Sequence, residues 1–268
     1  MNGMKRNFYR YDNSCVLNLQ NVSYMYDEKS IQSWKKIIDD FNFEVHQGEF
    51  VVLVGPSGCG KTTLLSLMAG IIQPTAGKIT MMGEEIRGMD WKREIIFQSP
   101  TLFPWYDVFD NVAYGPKMRG EDKTRISDRV NQYLELVGLA DCAHAKTYEL
   151  SGGMKQRVAL ARVLINEPSV ILMDEPFGAL DAITRSKMQI LVRKIWRDTN
   201  NTVVLITHDV DEALELASRI VVLGDSPCRI KGMFNAMFST PLDGNVGDDK
   251  LRRTGEYIEL RRHILDLL

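Results

Sequence analysis

The feature that most constrains the fold of this chain is a glycine-rich segment, G-P-S-G-C-G-K-T, at residues 55–62. It matches the pattern G-x-x-x-x-G-K-[ST], and it lies between an apolar run, Phe50–Val54, and a helical run, Thr62–Ala69, that closes at Gly70. Glycines let the backbone curl tightly, so that successive N–H groups point at phosphate oxygens, and the start of the helix adds partial positive charge. The segment therefore predicts a phosphate-binding loop between a strand and a helix.

Two side chains of this loop have predicted roles of their own. Lys61 would reach the β- and γ-phosphates of a nucleotide, and the Thr62 hydroxyl would bind Mg²⁺. Nothing in the motif needs the thiol of Cys59, which we expect to be chemically passive. The predicted nucleotide-binding residues of the loop are Gly55, Pro56, Ser57, Gly58, Cys59, Gly60, Lys61, Thr62 and Thr63.

Apolar runs of strand length recur along the chain and alternate with helical patterns, which is typical of a parallel sheet buried on both faces. After Phe50–Val54 they are Ile95–Phe97, Val170–Met173, Val203–Ile206 and Ile220–Leu223. A long stretch, Pro100–Glu149, separates two of them. Its apolar residues Ile126, Val130, Leu134 and Val137 fall at helical spacing, with a stop at Gly138, and predict a mostly helical insertion.

The run Val170–Met173 leads into Asp174, Glu175 and Pro176. Two carboxylates are therefore expected at the sheet edge where α/β proteins bind ligands. Because side chains alternate along a strand, both can serve one site only if the strand ends there, which Pro176 favours. Asp174 would then hold Mg²⁺, mostly through water, and Glu175 would polarise an attacking water as general base. The alternative is a pair of solvated acids that cap the next element.

A second anion cradle is predicted at L-S-G-G, residues 150–153, before the helical segment Met154–Ile165. Ser151 is a good N-cap, and Gly152 and Gly153 leave the start of the helix bare. Taken alone, this segment is explained better as a plain capped helix.

Composition excludes several classes of protein. The chain has 268 residues with a net charge of −2, which argues against a protein that grips a nucleic-acid backbone. Its four cysteines form no C-x-x-C pair, so reduced thiols are expected rather than a disulfide framework or a zinc site. No apolar run approaches the roughly 18 residues that span a bilayer. We expect a cytoplasmic chain that reaches a membrane through a partner.

In the order and spacing of these motifs the chain resembles the ATP-binding subunits of ABC transporters, from about Val16 to Leu223. The matching pieces are G-P-S-G-C-G-K-T-T, Gln98, L-S-G-G-M-K-Q-R, V-I-L-M-D-E-P, G-A-L-D at 178–181 and T-H-D at 207–209. The signature helix after Ser151 separates this family from other phosphate-loop proteins. Met154 stands where many members have glutamine, although the donors at the start of the helix remain.

The resemblance implies roles for residues that spacing alone leaves open. Gln98 would touch Mg²⁺ and sense the γ-phosphate of ATP, and His208 would contact that phosphate and the attacking water. Asp181 would link two sites, and Tyr26 would stack on adenine, with Tyr24 as its rival. The implied catalytic residues are Glu175, His208, Lys61 and Gln98, and the implied metal ligands are Thr62, Gln98 and Asp174.

The resemblance also implies partners and a place in the cell. The signature of one subunit (Ser151, Gly152 and Gly153) closes on the ATP of another, so a homodimer or a dimer with a close homologue would hold two ATP and Mg²⁺. The aromatics Phe103, Trp105, Tyr106 and Phe109 would form a groove for transmembrane permease subunits; alternatively, they form the core of the insertion. The chain would lie at the cytoplasmic face of the membrane, and indirectly serve a solute-binding protein.

The segments L-F-P-W and M-K-Q-R most resemble the corresponding segments of importer ATPases for nitrate, sulfonate, taurine and related small solutes. Weaker alternatives are an exporter or lipid-moving ATPase, a soluble relative acting in DNA repair or on ribosomes, and a nucleotide-dependent scaffold. The implied fold is an α/β phosphate-loop NTPase (RecA-like) core with an N-terminal antiparallel β subdomain and an inserted helical signature subdomain. We expect an ATPase domain at residues 16–224, its helical subdomain at about 100–160, and a short extension at 225–268.

Overall fold

Two β-sheets organise the chain, which a computed structural model describes at residues 12–28, 33–236 and 252–268. The first sheet is antiparallel, with strand order β2-β1-β4-β5, and the second has the order β10-β9-β3-β8-β7-β6. The first sheet comprises β1 (Asp12–Glu28), β2 (Ser33–Gln47), β4 (Ala76–Met81) and β5 (Glu84–Glu85). The second comprises β3 (Phe50–Val54), β6 (Arg93–Ile96), β7 (Val170–Asp174), β8 (Thr202–Thr207), β9 (Arg219–Leu223) and β10 (Ile230–Asn235).

The strands β9, β3, β8, β7 and β6 run parallel, and β10 adds an antiparallel edge. Successive residues of β3 enter two different cores: Phe50, Val52 and Val54 join one, and Val51 and Leu53 join the other. A strand buried on both faces needs the unbroken apolar run that its sequence provides. The predicted parallel sheet is confirmed, and the structure extends several of its strands by one or two residues.

Seven helices surround these sheets in the described part of the chain. They are α1 (Lys61–Ala69), α2 (Val108–Met118), α3 (Lys123–Leu136), α4 (Gly152–Leu164), α5 (Ala182–Thr199), α6 (Val210–Leu216) and α7 (Gly255–Leu267). Side chains of α1 lie in the core between the two sheets, whereas α2 to α7 contribute to the core on the other face of the second sheet. The predicted α/β fold with a separate antiparallel sheet is therefore confirmed.

The insertion between β6 and β7 is helical, as its spacing predicts. Asp107 caps α2 by accepting a hydrogen bond from Asp110 N at 2.8 Å, and Asp122 caps α3 in the same manner. The stripe that begins at Ile126 is buried, and the chain leaves α3 through Gly138, whose φ of 69° is left-handed. The helices α2, α3 and α4 contact one another and bury their apolar faces in a shared core.

The polar stretch 27–36 suggests a solvated loop, and this interpretation is wrong at both of its ends. β1 continues to Glu28 and β2 begins at Ser33, with Tyr26 opposite Lys35 in the antiparallel register. Tyr26 is 61% exposed, so this end of the hairpin lies in solvent. Backbone hydrogen bonds along the ladder hold the strands at this end, where Lys35 and Lys36 are exposed. Residues 29–32 lie outside the described part.

Candidate nucleotide site

Four neighbouring parallel strands end where the predicted site residues begin. The phosphate loop follows β3, Gln98 follows β6, Glu175 follows β7 and His208 follows β8. The register places Val54 beside Thr207, Asp174 beside Ile206 and Ile96 beside Met173. These segments therefore leave the sheet at one edge, which is where ligands bind in open α/β sheets.

The phosphate loop has the backbone shape that an anion cradle needs. Gly58 and Gly60 have left-handed φ values of 81° and 106°. Residues other than glycine rarely adopt such values, because their Cβ atom clashes with the backbone. A Cβ built on Gly58 meets no heavy atom within 4 Å, so the space next to this glycine is open. Below it, Lys61 is 7% exposed, and its Nζ donates to the carbonyls of Gly55 at 2.7 Å and Pro56 at 2.8 Å.

The hydroxyl and the carboxylate predicted to bind Mg²⁺ lie side by side. Thr62 Oγ1 donates a hydrogen bond to Asp174 Oδ1 at 3.3 Å. Burial, opposed by this hydrogen bond and reinforced by the charge of Glu175, raises the pKa of Asp174 above its ordinary value. A cation at this position would offset the cost of burying the carboxylate. The donor set, one carboxylate and one hydroxyl, suits Mg²⁺ that also coordinates phosphates and water.

The question of whether both carboxylates can face one site is answered by the backbone. Glu175 has a left-handed φ of 42°, and its N–H bonds to the Ile206 carbonyl at 3.0 Å. The strand ends at Asp174, and the reversal frees Glu175 from the alternation that would turn it away. Its Oε2 lies 3.0 Å from His208 Nδ1.

Gln98 lies close to Glu175. A Cβ built on Gly178 would lie 3.2 Å from Gln98 Nε2 and 3.8 Å from Glu175 Oε2, so the two side-chain ends flank this glycine. Gln98 and the His208 side chain are exposed, whereas the Glu175 side chain is 23% exposed. The structure thus brings Gln98, Glu175 and His208 together at the mouth of the phosphate loop.

The L-S-G-G segment forms an open helix start. Ser151 Oγ accepts a hydrogen bond from Met154 N at 3.3 Å, and α4 begins at Gly152, two residues earlier than the apolar pattern predicts. Ser151 and Gly152 are exposed, and no heavy atom lies within 4 Å of a Cβ built on Gly152. A Cβ on Gly153 would lie 2.4 Å from the Thr184 Cγ2, so this glycine is required for packing against α5.

Asp181 caps the N-terminus of α5, and its carboxylate accepts hydrogen bonds from the backbone N–H groups of Ile183 and Thr184. Hydrogen bonds from Thr184 and Ile183 lower the pKa of this carboxyl.

In the hairpin of β1 and β2, Tyr26 is exposed, while Tyr24 packs against the core between the sheets. The two tyrosine rings are 6.3 Å apart. Of the two tyrosines, Tyr26 is the more available to a base.

Three of the four aromatics after Gln98 are partly buried. Phe103 packs beside Tyr114 with ring centroids 4.5 Å apart, and Phe109 lies against the core of the insertion. The alternative, packing within the insertion, thus accounts for part of the Phe109 surface, and a groove for permease subunits stays a prediction. Trp105 is 68% exposed and lies 5.6 Å from the Phe103 ring.

Arg162 is a residue of this region that the motifs do not indicate. From α4 it donates to the Thr101 carbonyl at 2.7 Å, and its guanidinium lies over the Phe103 ring at 5.4 Å. It thereby joins the helix of the L-S-G-G segment to the aromatic loop. An arginine eleven positions after Ser151 carries no motif of its own, so only the tertiary contact identifies it.

Cys59 is also less isolated than the motif suggests. Its thiol is buried, and the hydrogen bond from the Cys228 thiol lowers the pKa of Cys59 below its ordinary value. Elsewhere, no helix of the described residues combines the length and the apolar composition that crossing a bilayer requires.

Comparison with known proteins agrees with this geometry. The sequence pattern of the ABC transporter family matches residues 38–178. The taurine import ATP-binding protein TauB of Pelagibacter ubique is 47% identical over 232 residues, covering 86% of this chain and 87% of its own length. TauB of Jannaschia sp. is 44% identical and covers 94% of this chain and 93% of its own length.

Solved structures with the same fold include dimers. A dimeric ATP-binding cassette in a post-hydrolysis state, bound to ADP and Pi, aligns with a TM-score of 0.72 at 29% identity, covering 82% of this chain and 98% of that one. The cbiO1 protein from Clostridium perfringens, part of the ABC transporter complex cbiONQ, aligns with a TM-score of 0.76 at 25% identity, covering 94% of this chain and 99% of that one.

Proposed function

Because the chain belongs to the ABC transporter family, we propose that it is the ATP-hydrolysing subunit of an importer for taurine, sulfonates, nitrate or similar small solutes. The observation that carries the catalytic part is the pair of Glu175 and His208, 3.0 Å apart, at the mouth of an open phosphate loop. The importer part is supported by the taurine import proteins that match most of the chain at 42–47% identity. We propose residues 16–224 as the ATPase domain, with a helical subdomain at about 100–160 and an extension at 225–268.

The loop would bind the phosphates of ATP. Backbone N–H groups between Gly55 and Thr63 would donate to phosphate oxygens, and Lys61 would exchange its two carbonyl partners for the β- and γ-phosphates. Tyr26 would stack on the adenine ring. When Mg²⁺ is bound it neutralises phosphate charge, and Thr62, Asp174 and Gln98 are the residues that would hold it.

Glu175 would act on the water that attacks the γ-phosphate. Its carboxylate is only partly exposed and lies next to His208, which can orient both the carboxylate and the water. In this arrangement His208 contacts the phosphate, and Glu175 accepts a proton from the water. Gln98 lies beside them and would report the presence of the γ-phosphate to the loop that follows it.

One copy of the chain supplies one phosphate loop and one signature segment, so we propose that two copies complete two sites. Ser151 and Gly152 are exposed at the start of α4, where backbone N–H groups can meet the γ-phosphate held by a second copy. Asp181 would link the two sites. The dimeric cassettes among the similar structures support this arrangement.

A mixing experiment tests the shared site. Lys61→Ala removes the loop lysine, and Ser151→Arg blocks the signature segment. Each variant alone should hydrolyse almost no ATP, whereas their mixture should recover activity, because a mixed dimer retains one complete site. A mixture that stays as inactive as its components would refute the shared-site proposal. A mixture of Lys61→Ala with itself at the same total concentration is the control.

We propose that the loop carrying Trp105 docks onto transmembrane permease subunits, which would place the chain at the cytoplasmic face of the membrane and couple it indirectly to a solute-binding protein. Trp105→Ala should abolish co-purification with the permease and leave the ATPase of the isolated chain intact. Trp91→Ala is a matched control, because Trp91 is another exposed tryptophan, 47% accessible. Equal retention of the permease by both variants would contradict docking at Trp105.

A further inference from the structure

The helix α7 packs against α6, the short helix that begins two residues after His208. It buries Tyr257 and Ile264, and Lys231 Nζ of β10 donates to the Leu267 carbonyl at its other end at 2.8 Å. None of the motifs that define the nucleotide site lies on α7. Its contacts with α6 nevertheless begin one turn away from the catalytic histidine.

The centre of this contact is Asp211, in the first turn of α6. Arg261 of α7 donates to both of its carboxylate oxygens, from Nε to Oδ1 at 2.8 Å and from Nη2 to Oδ2 at 3.2 Å. The Tyr257 hydroxyl donates to Oδ1 at 3.1 Å. One turn further on, Arg252 Nε donates to Glu215 Oε1 at 2.7 Å, and Glu215 is 3% exposed. We call these two ion pairs and the tyrosine bond the clasp.

Asp211 is also part of the turn that carries His208. The Asp209 carboxylate caps α6 by accepting hydrogen bonds from Asp211 N at 2.9 Å and Glu212 N at 3.2 Å. Asp209 N in turn donates to Thr207 Oγ1 at 3.0 Å. The side chain of Asp211 is therefore held by α7 while its backbone is held by the cap next to His208. A shift of this first turn would displace the histidine.

The other side of α6 is held by α5. Gln189 Nε2 donates to Glu212 Oε1 at 2.9 Å, and both residues are buried. Two adjacent residues thus tie α6 to different helices. Asp211 bonds to Arg261 of α7, and Glu212 bonds to Gln189 of α5. Six of the seven residues of α6 are buried, so core packing holds the helix as a whole. Asp211 is the residue outside that core, and its side chain is the one that α7 holds.

We propose that Asp211 and Arg261 are positioning residues for ATP hydrolysis: the clasp fixes the first turn of α6 and thereby holds His208 against Glu175. This inference rests on the proposed function for its kinetic consequence. It assigns α7 a role in turnover without a contact to nucleotide. Small displacements of groups that act on the reacting water cost rate much more than they cost binding, so the effect should fall on kcat.

The Arg261–Asp211 pair should contribute little to overall stability, which makes its positioning role measurable. The side chains of Arg261 and Asp211 are 43% and 37% exposed, and ion pairs with such exposure stabilise proteins only slightly. Arg261→Ala should therefore lower the melting temperature by no more than about 3 °C. Arg262 is a matched control, because it is the next residue of the same helix, is exposed, and has no ion pair with another described residue.

The test compares Arg261→Ala, Arg262→Ala and Arg261→Lys in the full-length chain. We expect Arg261→Ala to lower kcat about fivefold with KM for ATP unchanged, and Arg261→Lys, which keeps one ion pair, to recover part of the loss. Arg262→Ala should equal the wild type. A kcat for Arg261→Ala equal to that of the wild type, an equal loss in Arg262→Ala, or a parallel loss of kcat, ATP affinity and melting temperature would each overturn the inference.

Hydrogen exchange of residues 208–216 gives a second measurement that does not depend on turnover. Loss of the clasp should speed exchange there in Arg261→Ala and in Tyr257→Phe, which keeps the buried ring and removes the hydroxyl. Arg262→Ala should leave it unchanged. If the wild-type chain hydrolyses no ATP, the proposed function fails, and this measurement still decides the clasp: unchanged exchange in Arg261→Ala refutes it.

Discussion

Replacing Glu175 with glutamine should stop hydrolysis while leaving ATP binding and the fold intact. The amide keeps the size of the side chain and can still bond to His208, whose Nδ1 lies 3.0 Å from the carboxylate, so the turn after β7 should keep its shape. What the variant loses is the proton acceptor. General-base catalysis contributes roughly 10²–10⁴-fold, so kcat should fall by at least about 100-fold, or about 3 kcal/mol of barrier.

The assay has three parts: ATP turnover, nucleotide affinity from a fluorescent ATP analogue, and size in the presence of ATP. Affinity should be unchanged, because the phosphate loop and Lys61 are untouched. Size should shift to that of a dimer, because the bound ATP that holds two copies together persists.

Glu167→Gln is the matched control for this substitution. Glu167 is another glutamate in left-handed backbone, with φ of 51° against 42° for Glu175, but its side chain is 70% exposed and pairs with Arg129. It should hydrolyse ATP like the wild type. If Glu175→Gln retains more than about a tenth of the wild-type kcat, or if the control loses as much, the general-base assignment is wrong.

Three further predictions concern binding and stability. Lys61→Ala should weaken ATP affinity at least about tenfold, because the buried ammonium is the charge nearest the phosphates; normal affinity in a nucleotide titration would contradict its role. Gly70→Ala should cost at least about 2 kcal/mol in chemical unfolding, because its φ is 78° and the new Cβ would lie 2.3 Å from the Gly88 carbonyl oxygen. Gly120→Ala, with φ of 72° but open space, should cost about 1 kcal/mol; equal losses would refute the clash argument. Burial raises the pKa of Glu94 to about 7, so its protonated form stabilises the fold at low pH, and this stabilisation is lost as the pH rises from about 4.5 through 7. Glu94→Gln should therefore gain about 1–3 kcal/mol relative to wild type in unfolding at pH 8 and little at pH 4; an equal difference at both values would contradict the burial argument.

Most of the fold follows from local patterns. The run Phe50–Val54, followed by a glycine-rich loop, favours a strand buried on both faces, and Gly58 and Gly60 adopt left-handed backbone that few other residues adopt. The helical insertion follows from the spacing of Ile126, Val130 and Leu134, because a 3.6-residue period marks one buried helix face. By contrast, residues 33–36 belong to a stretch that the sequence predicts as a loop, and only their pairing with β1 makes them a strand.

The motif residues can also be identified from the sequence, but the sequence does not show that they lie close together in space. Gln98 and Glu175 are 77 positions apart in the chain, and the parallel register of β6 and β7 brings them to one edge. Phe109 and Trp105 have equally aromatic surroundings in the sequence, yet Phe109 is partly buried against the core of the insertion and Trp105 is exposed. Burial depends on which elements fold over a side chain, and a linear pattern of aromatics does not record that.

The sequence by itself determined which chemical groups this protein offers: a glycine-rich loop of the phosphate-binding pattern, a lysine, a threonine and two carboxylates in the order expected of a nucleotide site. Tertiary structure alone decided how these groups are oriented and what supports them. The reversal at Glu175, the bond to His208 and the contact between Asp211 and Arg261 join residues that are distant in the chain or turned by backbone geometry. Such contacts depend on register and packing, which act over many residues and leave no short motif behind.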